Sequence, residues 1–243
     1  MDKLIMYFLL FIIYAFLGYI CEVIYVFIIT KKITNRGYLY GPLVPIYAFG
    51  ALIFIIPFQE LSLGNFVLDK WYLVLFLAFF VPTLLEYITS FIMEKIFHMR
   101  WWDYSDKILN INGRVCLRNS LMFTVLVILV VYLINPLLMI SISYIMEIKI
   151  LAYVLAILLF IAIIIDFIFS TIKHVNISKI IIKLNELKDK ANELRIEKKE
   201  EITAYFNNIK DKISKINVKY PSLKLIKDKR KISLSDIINK FKK

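Results

Sequence analysis

The chain has 243 residues, 60% of them hydrophobic, with a mean hydropathy of +0.72 and a formal net charge of +12. A soluble domain is only about half apolar, and several runs here reach the roughly 20 residues needed to cross a ~30 Å hydrocarbon core, which excludes an ordinary soluble globular protein. The charge is one-sided: residues 171–243 hold 20 Lys and Arg against 9 Asp and Glu, whereas the first 170 residues hold 11 against 10.

The first predicted span runs from about Leu4 to Ile29. It is too long for the apolar part of a signal peptide, lacks a small-residue cleavage site and carries Glu22, so it is expected to be retained. Tyr14, Gly18, Glu22 and Tyr25 recur at spacings of three and four, on one helical face. A carboxylate in hydrocarbon is costly, so this face should turn toward other helices. A loop over 30–43 follows, containing Asn35-Arg36-Gly37-Tyr38-Leu39-Tyr40-Gly41-Pro42. The second apolar stretch, Leu43 to Phe58, begins with Pro45 in its first turn, where a missing N–H costs nothing. Sixteen residues barely cross a bilayer, so a broken or re-entrant element is an alternative there.

A third span is predicted from Trp71 to about Met93, with Pro82, Glu86, Ser90 and Glu94 at i+4 spacing. The loop over 94–118 carries Trp101-Trp102-Asp103-Tyr104-Ser105 and Asn110-Ile111-Asn112-Gly113-Arg114. Aromatic residues at a membrane boundary form an interfacial belt. Asp103 and Ser105 suit a turn, and Asn112-Gly113 is a strong turn signal. A fourth span, about Asn119 to Ile140, contains Asn135-Pro136, expected to kink or end it. The fifth, Ile148 to Ser170, has Asp166 near its end.

Lys and Arg bias sets orientation. Lys31, Lys32 and Arg36, and Lys95, Arg100, Lys107, Arg114 and Arg118, fall in loops on the same side as the basic tail. The expected topology is N-out and C-in, with both motif loops cytosolic. Glu22 and Glu86 then lie about 10 Å from the inner ends of their spans, at 1.5 Å per residue, with Asp166 shallower. Arg36 and Arg114 are candidate partners for these carboxylates, since pairing makes buried charge tolerable. From Ile177 to about Ile216 apolar residues recur at heptad-like spacing with one four-residue insertion, predicting a helix over 177–217. Tyr220-Pro221-Ser222 should end it, and Ser233-Leu234-Ser235-Asp236 is positioned to start a short final helix. The fold class expected is therefore all-α: five transmembrane helices over 1–170 and a basic cytosolic helical tail over 171–243.

Chemistry is sparser. Cys21 and Cys116 are too few and too separated for a zinc site, and His98 and His174 are far apart, so no metal and no cofactor is expected. The pattern GxxxxGK[ST] is absent, so this chain does not supply its own ATP-hydrolysing P-loop, and HExxH and GxSxG are absent too. The basic tail is better matched to anionic lipid, at about 1 kcal/mol per basic residue near the surface, than to nucleic acid.

The segments FLGYICEVIY, NRGYLYGPLVPIYAFGAL, LLEYITSFIMEKIF and RWWDYSDKILNINGRVCLRNS occur in that order over residues 8 to 125. In these blocks the chain resembles the putative type-IV ABC-transporter permease family, the CmpB-like membrane proteins of bacteria. The resemblance implies a multi-spanning protein of the bacterial cytoplasmic membrane with a transport role and a possible ATPase partner. It carries over Glu22, Asn35, Arg36, Gly37, Gly41, Pro42, Pro45, Tyr47, Gly50, Glu86, Trp102, Asp103, Tyr104, Ser105, Asn110, Asn112, Gly113 and Arg114. The leading expectation is a permease-like protein with a polar site in the cytosolic half, in which Glu22 and Glu86 take a cation, a proton or a basic group. An enzyme acting on a lipid-type substrate is the alternative, with Glu86 or Asp103 as base and Arg36 or Arg114 on phosphate. A scaffold or sensor that self-associates through its tail is the third.

Overall fold

The computed structural model describes residues 1–31, 37–60, 70–193, 224–227 and 230–233. Among the described residues five helices alternate in direction: α1 Asp2–Thr30, α2 Pro45–Glu60, α3 Trp71–Phe97, α4 Leu117–Glu147 and α5 Lys149–Glu193. Four of them, α1, α3, α4 and α5, are long and apolar enough to cross a membrane. The fifth, α2, has 16 residues and rises only about 24 Å. Large apolar side chains point outward around the bundle, among them Phe76, Phe80, Val125, Ile150, Phe160 and Phe169, all about half exposed or more. Such a surface is stable facing lipid and not facing water.

The interior uses small residues and a few polar groups. Ala15, Ala48, Ala78 and Ala152 are fully buried, and on α3 the buried positions Val74, Ala78, Pro82, Glu86 and Ser90 repeat every four residues. Small side chains let apolar helices approach closely where no hydrophobic gain separates protein from lipid. The predicted polar face of α3 is thus the one turned inward. Its polar members include the carboxylate of Glu86.

Two predicted boundaries move. Asn135-Pro136 does not end α4. Residues Val130–Ile134 form a π-turn, closed by the Asn135 amide donating to the Val130 carbonyl, and the helix continues to Glu147. Pro136 has no N–H for the preceding turn, and the wider turn accommodates that loss. Asn135 accepts from the Tyr14 hydroxyl at 3.1 Å, tying α4 to α1. Likewise, α5 does not stop at Ser170. It is one helix of 45 residues, so the fifth span and the beginning of the tail helix are continuous. The rest of the predicted 177–217 helix lies outside the described residues.

The chain is also not purely helical. Short strands β1 Met99–Arg100, β2 Asn110–Ile111, β3 Val115–Cys116, β4 Lys224–Lys227 and β5 Arg230–Ser233 form two antiparallel sheets, β1-β4-β5 and β2-β3. The β1–β4 register pairs Met99 with Leu225 and Arg100 with Lys224. Ser233 closes β5, and the short final helix expected after it lies outside the described residues.

The segment Gly37–Val44 explains why α2 is short. It enters the bundle without helical structure and reaches the middle of α1, where the Val44 amide donates to the Ala15 carbonyl at 2.9 Å. Irregular backbone at membrane depth is tolerated only when protein satisfies its polar groups. Here α5 does so. Asp166 accepts from the Tyr40 and Gly41 amides, both at 2.8 Å, and Ser170 Oγ accepts from Tyr40 at 3.0 Å. His174 Nε2 lies 2.9 Å from the Tyr38 carbonyl oxygen, and the Tyr38 hydroxyl sits 2.6 Å from Thr171 Oγ1. Gly41 permits this approach, since a Cβ there would come within 2.9 Å of Asp166 Oδ2. The stretch expected as the second span, Leu43 to Phe58, is thus a helix over Pro45–Glu60 with this non-helical segment before it.

A prediction follows for Asp166. Asp166→Ala should leave the Gly41 amide without its acceptor and the Tyr40 amide with Ser170 Oγ alone, at about 1.5–3 kcal/mol for the charged hydrogen bond lost at Gly41, and lower the melting temperature in detergent. Asp166→Asn keeps one acceptor oxygen and should lose less. Equal melting of all three proteins would refute this account.

Candidate functional site

At the end of the bundle opposite Asp2 and Lys149, residues 98–116 fold into a compact cap. Asn112 and Gly113 adopt φ of +52° and +66°, and Arg114 N donates to Ile111 O at 3.0 Å. This is the mirror-image turn that Asn-Gly favours, and it joins β2 to β3. Asn110 braces the loop from inside: its amide donates to the carbonyls of Ser105 and Lys107, and its oxygen accepts from Gly113 N at 3.0 Å. Asp103 accepts from the Ser105 amide at 2.9 Å and from its hydroxyl. Trp102 Nε1 donates to Arg114 O at 2.9 Å, and Tyr104 N to Gly113 O at 2.8 Å.

Charge fastens the cap to α3. Glu94 takes Arg100 Nε in a short ion pair and Arg114 at 3.1 Å. Arg100 is buried, donates to Asn112 O at 2.9 Å and lies 3.9 Å from Asp103. The Arg114 guanidinium stands over the rings of Tyr87 and Phe91 at 5.5 and 5.4 Å. The predicted pairing of Arg114 with Glu22 or Glu86 is therefore replaced: its carboxylate partner is Glu94. One more turn of α3 explains this. The helix runs to Phe97, past the expected end at Met93, which carries Glu94 up to the cap and leaves Glu86 about 16 Å from the helix end.

The two motif loops touch through aromatic rings. Tyr38 packs on Phe97, Trp101 and His174 at centroid distances of 5.9, 6.3 and 4.7 Å. Asn35 and Arg36 lie outside the described residues. Gly37, at φ +122°, opens the segment that descends beside α5.

Beneath the cap lies a half-open cavity of about 280 Å³. Glu22 and Tyr25 of α1, Tyr47 of α2, Glu86 of α3, Trp102 to Tyr104 of the cap, and Asn119 and Phe123 of α4 line it. Tyr104 donates to Glu86 Oε1 at 3.1 Å, and Tyr47 to Glu22 Oε1 at 3.2 Å. The other Glu86 oxygen, Oε2, is buried with no hydrogen-bond partner among the described residues. Burial first, then the charges of Glu86 and Glu22, push the Tyr104 phenol well above the ordinary phenol range. It therefore acts as a hydrogen-bond donor to Glu86. A second, apolar pocket of about 90 Å³ adjoins this cavity and shares Tyr47, Glu86, Phe123 and Leu126 with it.

Of the sequence-predicted residues, Glu22, Glu86, Trp102, Asp103 and Tyr104 come together around one cavity. Ser105, Asn110, Asn112, Gly113 and Arg114 do not line it; they build and anchor the cap. Asp166 serves the descending segment. Tyr47 was legible only as part of a matched block; its packing on Gly18 and its bond to Glu22 emerge from the fold. Glu94 and Arg100 carry no motif of their own and emerge only from the fold. Among the described residues no cluster of three or more His, Cys, Asp or Glu is arranged to hold a metal ion.

Residues 9–171 match the family model described as putative ABC-transporter type IV. No curated protein and no solved structure matches the chain.

Proposed function

The chain belongs to the putative ABC-transporter type IV family, whose model covers more than half of it, and from that premise we propose that it is the permease-like subunit of a membrane transporter. In this reading it sits in the bacterial cytoplasmic membrane, N-out and C-in, with the cap on the cytosolic side. The cavity bounded by Glu22 and Glu86 is its polar site. The observation that carries the reading is Glu86: a carboxylate only 4% exposed, inside an apolar helix, at the wall of a cavity. An intramembrane ionisable group that faces a cavity marks a pathway or binding site. Trp102, Asp103 and Tyr104 form the roof, and the Glu94 cluster holds that roof in place. Arg114 then acts on the gate through its anchorage and makes no direct contact with Glu86.

Family membership supports an ATPase subunit as partner, since this chain has no P-loop. The basic tail provides a surface for anionic lipid. A lipid-acting enzyme is less well supported, because Arg114, the described candidate for holding phosphate, already serves Glu94.

The test is affinity purification of the full chain from native membranes in mild detergent. An ATP-hydrolysing subunit should co-purify with the wild type and with the Glu22→Gln/Glu86→Gln double variant. Flux through reconstituted vesicles should fall at least about tenfold in the double variant, equivalent to ~1.4 kcal/mol of barrier. Absence of any ATPase, or full flux through the folded double variant, would sink the proposal.

A further inference from the structure

We propose that the Glu22–Glu86 cavity binds a small organic ammonium ion carrying an apolar substituent. The inference rests on the reading of this cavity as the polar site and adds the chemical class of its ligand. Three carboxylates, Glu22, Glu86 and Asp103, line the cavity, and no Lys, Arg or His does so among the described residues. Asp103 has Arg100 behind it; Glu86 has one oxygen bonded to Tyr104 and the other with no hydrogen-bond partner among the described residues. A buried carboxylate oxygen left unmatched is costly, so a positively charged donor gains most there.

The remaining walls distinguish an organic cation from a metal ion. Tyr25, Tyr47, Trp102, Tyr104 and Phe123 surround the carboxylates, and aromatic faces attract ammonium groups, more so where water is excluded. A cage for a hard metal ion gathers several carboxylate and carbonyl oxygens on one point, and among the described residues no group of three or more His, Cys, Asp or Glu is so arranged.

The adjoining pocket sets the second half of the ligand. It opens from the same walls and is lined by Leu17, Ile46, Ala51, Phe54, Leu126 and Val127. A cation seated on Glu86 would therefore extend an apolar group inward, between α1, α2 and α4. Its volume, about 90 Å³, admits a short or single-ring substituent and not a long chain.

Calorimetry on the full chain in lipid nanodiscs tests this with three probes of one shape: phenethylammonium, 2-phenylethanol and phenylacetate. Phenethylammonium should bind saturably, at least about tenfold more tightly than the alcohol, and phenylacetate should not bind. Glu86→Gln should weaken the ammonium at least about tenfold, while Glu147→Gln, at the opposite end of α4, should leave it unchanged. The comparison among probes uses the wild type alone, so it stands even if Glu86→Gln fails to fold. Equal affinity for ammonium and alcohol, an unaffected Glu86→Gln variant, or displacement of phenethylammonium by equimolar calcium would overturn the proposal. Ammonium binding without flux would sink the transporter reading and leave this one standing. Flux without ammonium binding would do the reverse.

Discussion

Glu94→Ala is expected to destabilise the protein by about 3–5 kcal/mol, the range for breaking a buried ion pair on one side. The carboxylate is the shared anion of Arg100 and Arg114. Arg100 is 4% exposed, so its charge cannot escape to water once Glu94 is gone. The cap should loosen with it, because Arg100 also holds the Asn112 carbonyl and Arg114 carries the chain back into β3. Thermal unfolding followed by circular dichroism would measure the loss. Hydrogen exchange should show the amides of Tyr104 and Gly113 losing protection before those of α3. The double variant Glu94→Leu/Arg100→Met should recover part of the stability, since it removes the stranded Arg100 charge and leaves only Arg114, over the rings of Tyr87 and Phe91, without its carboxylate. If Glu94→Ala alone melted like the wild type, the cap would have to be held by something other than this cluster.

The second large effect is expected at Gly18. A Cβ there would lie 2.4 Å from both Cβ and Cγ of Tyr47. These are atoms near the backbone of α2, not the end of a flexible side chain, so the two helices must separate. Overpacking of this kind costs about 1–3 kcal/mol. It should also pull the Tyr47 hydroxyl from Glu22. Gly50 supplies the comparison, as a Cβ there would meet Leu85 at an ordinary 3.7 Å. Gly18→Ala should therefore fold in low yield with a depressed melting temperature, and Gly50→Ala should be close to wild type. Matching yields and melting for both would refute the account of Gly18.

Much of this arrangement was legible in the sequence, for definite reasons. Apolar length marks membrane helices because the hydrocarbon thickness is fixed. Glu22 and Glu86 stand out because charge in that medium must be explained. Asn112-Gly113 announces its turn because few other pairs adopt two successive positive φ values. Other features depend on contacts between distant parts of the chain. Nothing local to Glu94 says that it collects two arginines six and twenty residues later. Asp166 resembles a membrane carboxylate awaiting a ligand, yet its partners are backbone amides over a hundred residues away. Backbone donors carry no side-chain signature, so a sequence pattern cannot reveal that they need an acceptor. Of the two outcomes expected at Asn135-Pro136, a kink or an end, the end does not occur: a π-turn precedes the proline and the helix continues. Asn35 and Arg36 fall outside the described residues, so the role expected of them rests on the sequence alone.

The helix α5 ties these features together mechanically. Its 45 residues correspond to a rod of about 68 Å, more than twice the ~30 Å hydrocarbon thickness. Asp166, Ser170, Thr171 and His174 grip the descending segment along two turns of that rod, and Ser178 holds the Phe97 carbonyl at the end of α3. A tilt applied beyond these grips acts as torque on a lever whose fulcrum lies within the bundle. The segment held there is anchored at its far end to the middle of α1 through Val44 and Ala15. The long helix and the Tyr47–Glu22 wall of the cavity are thus joined through one short stretch of backbone, from Tyr38 to Val44.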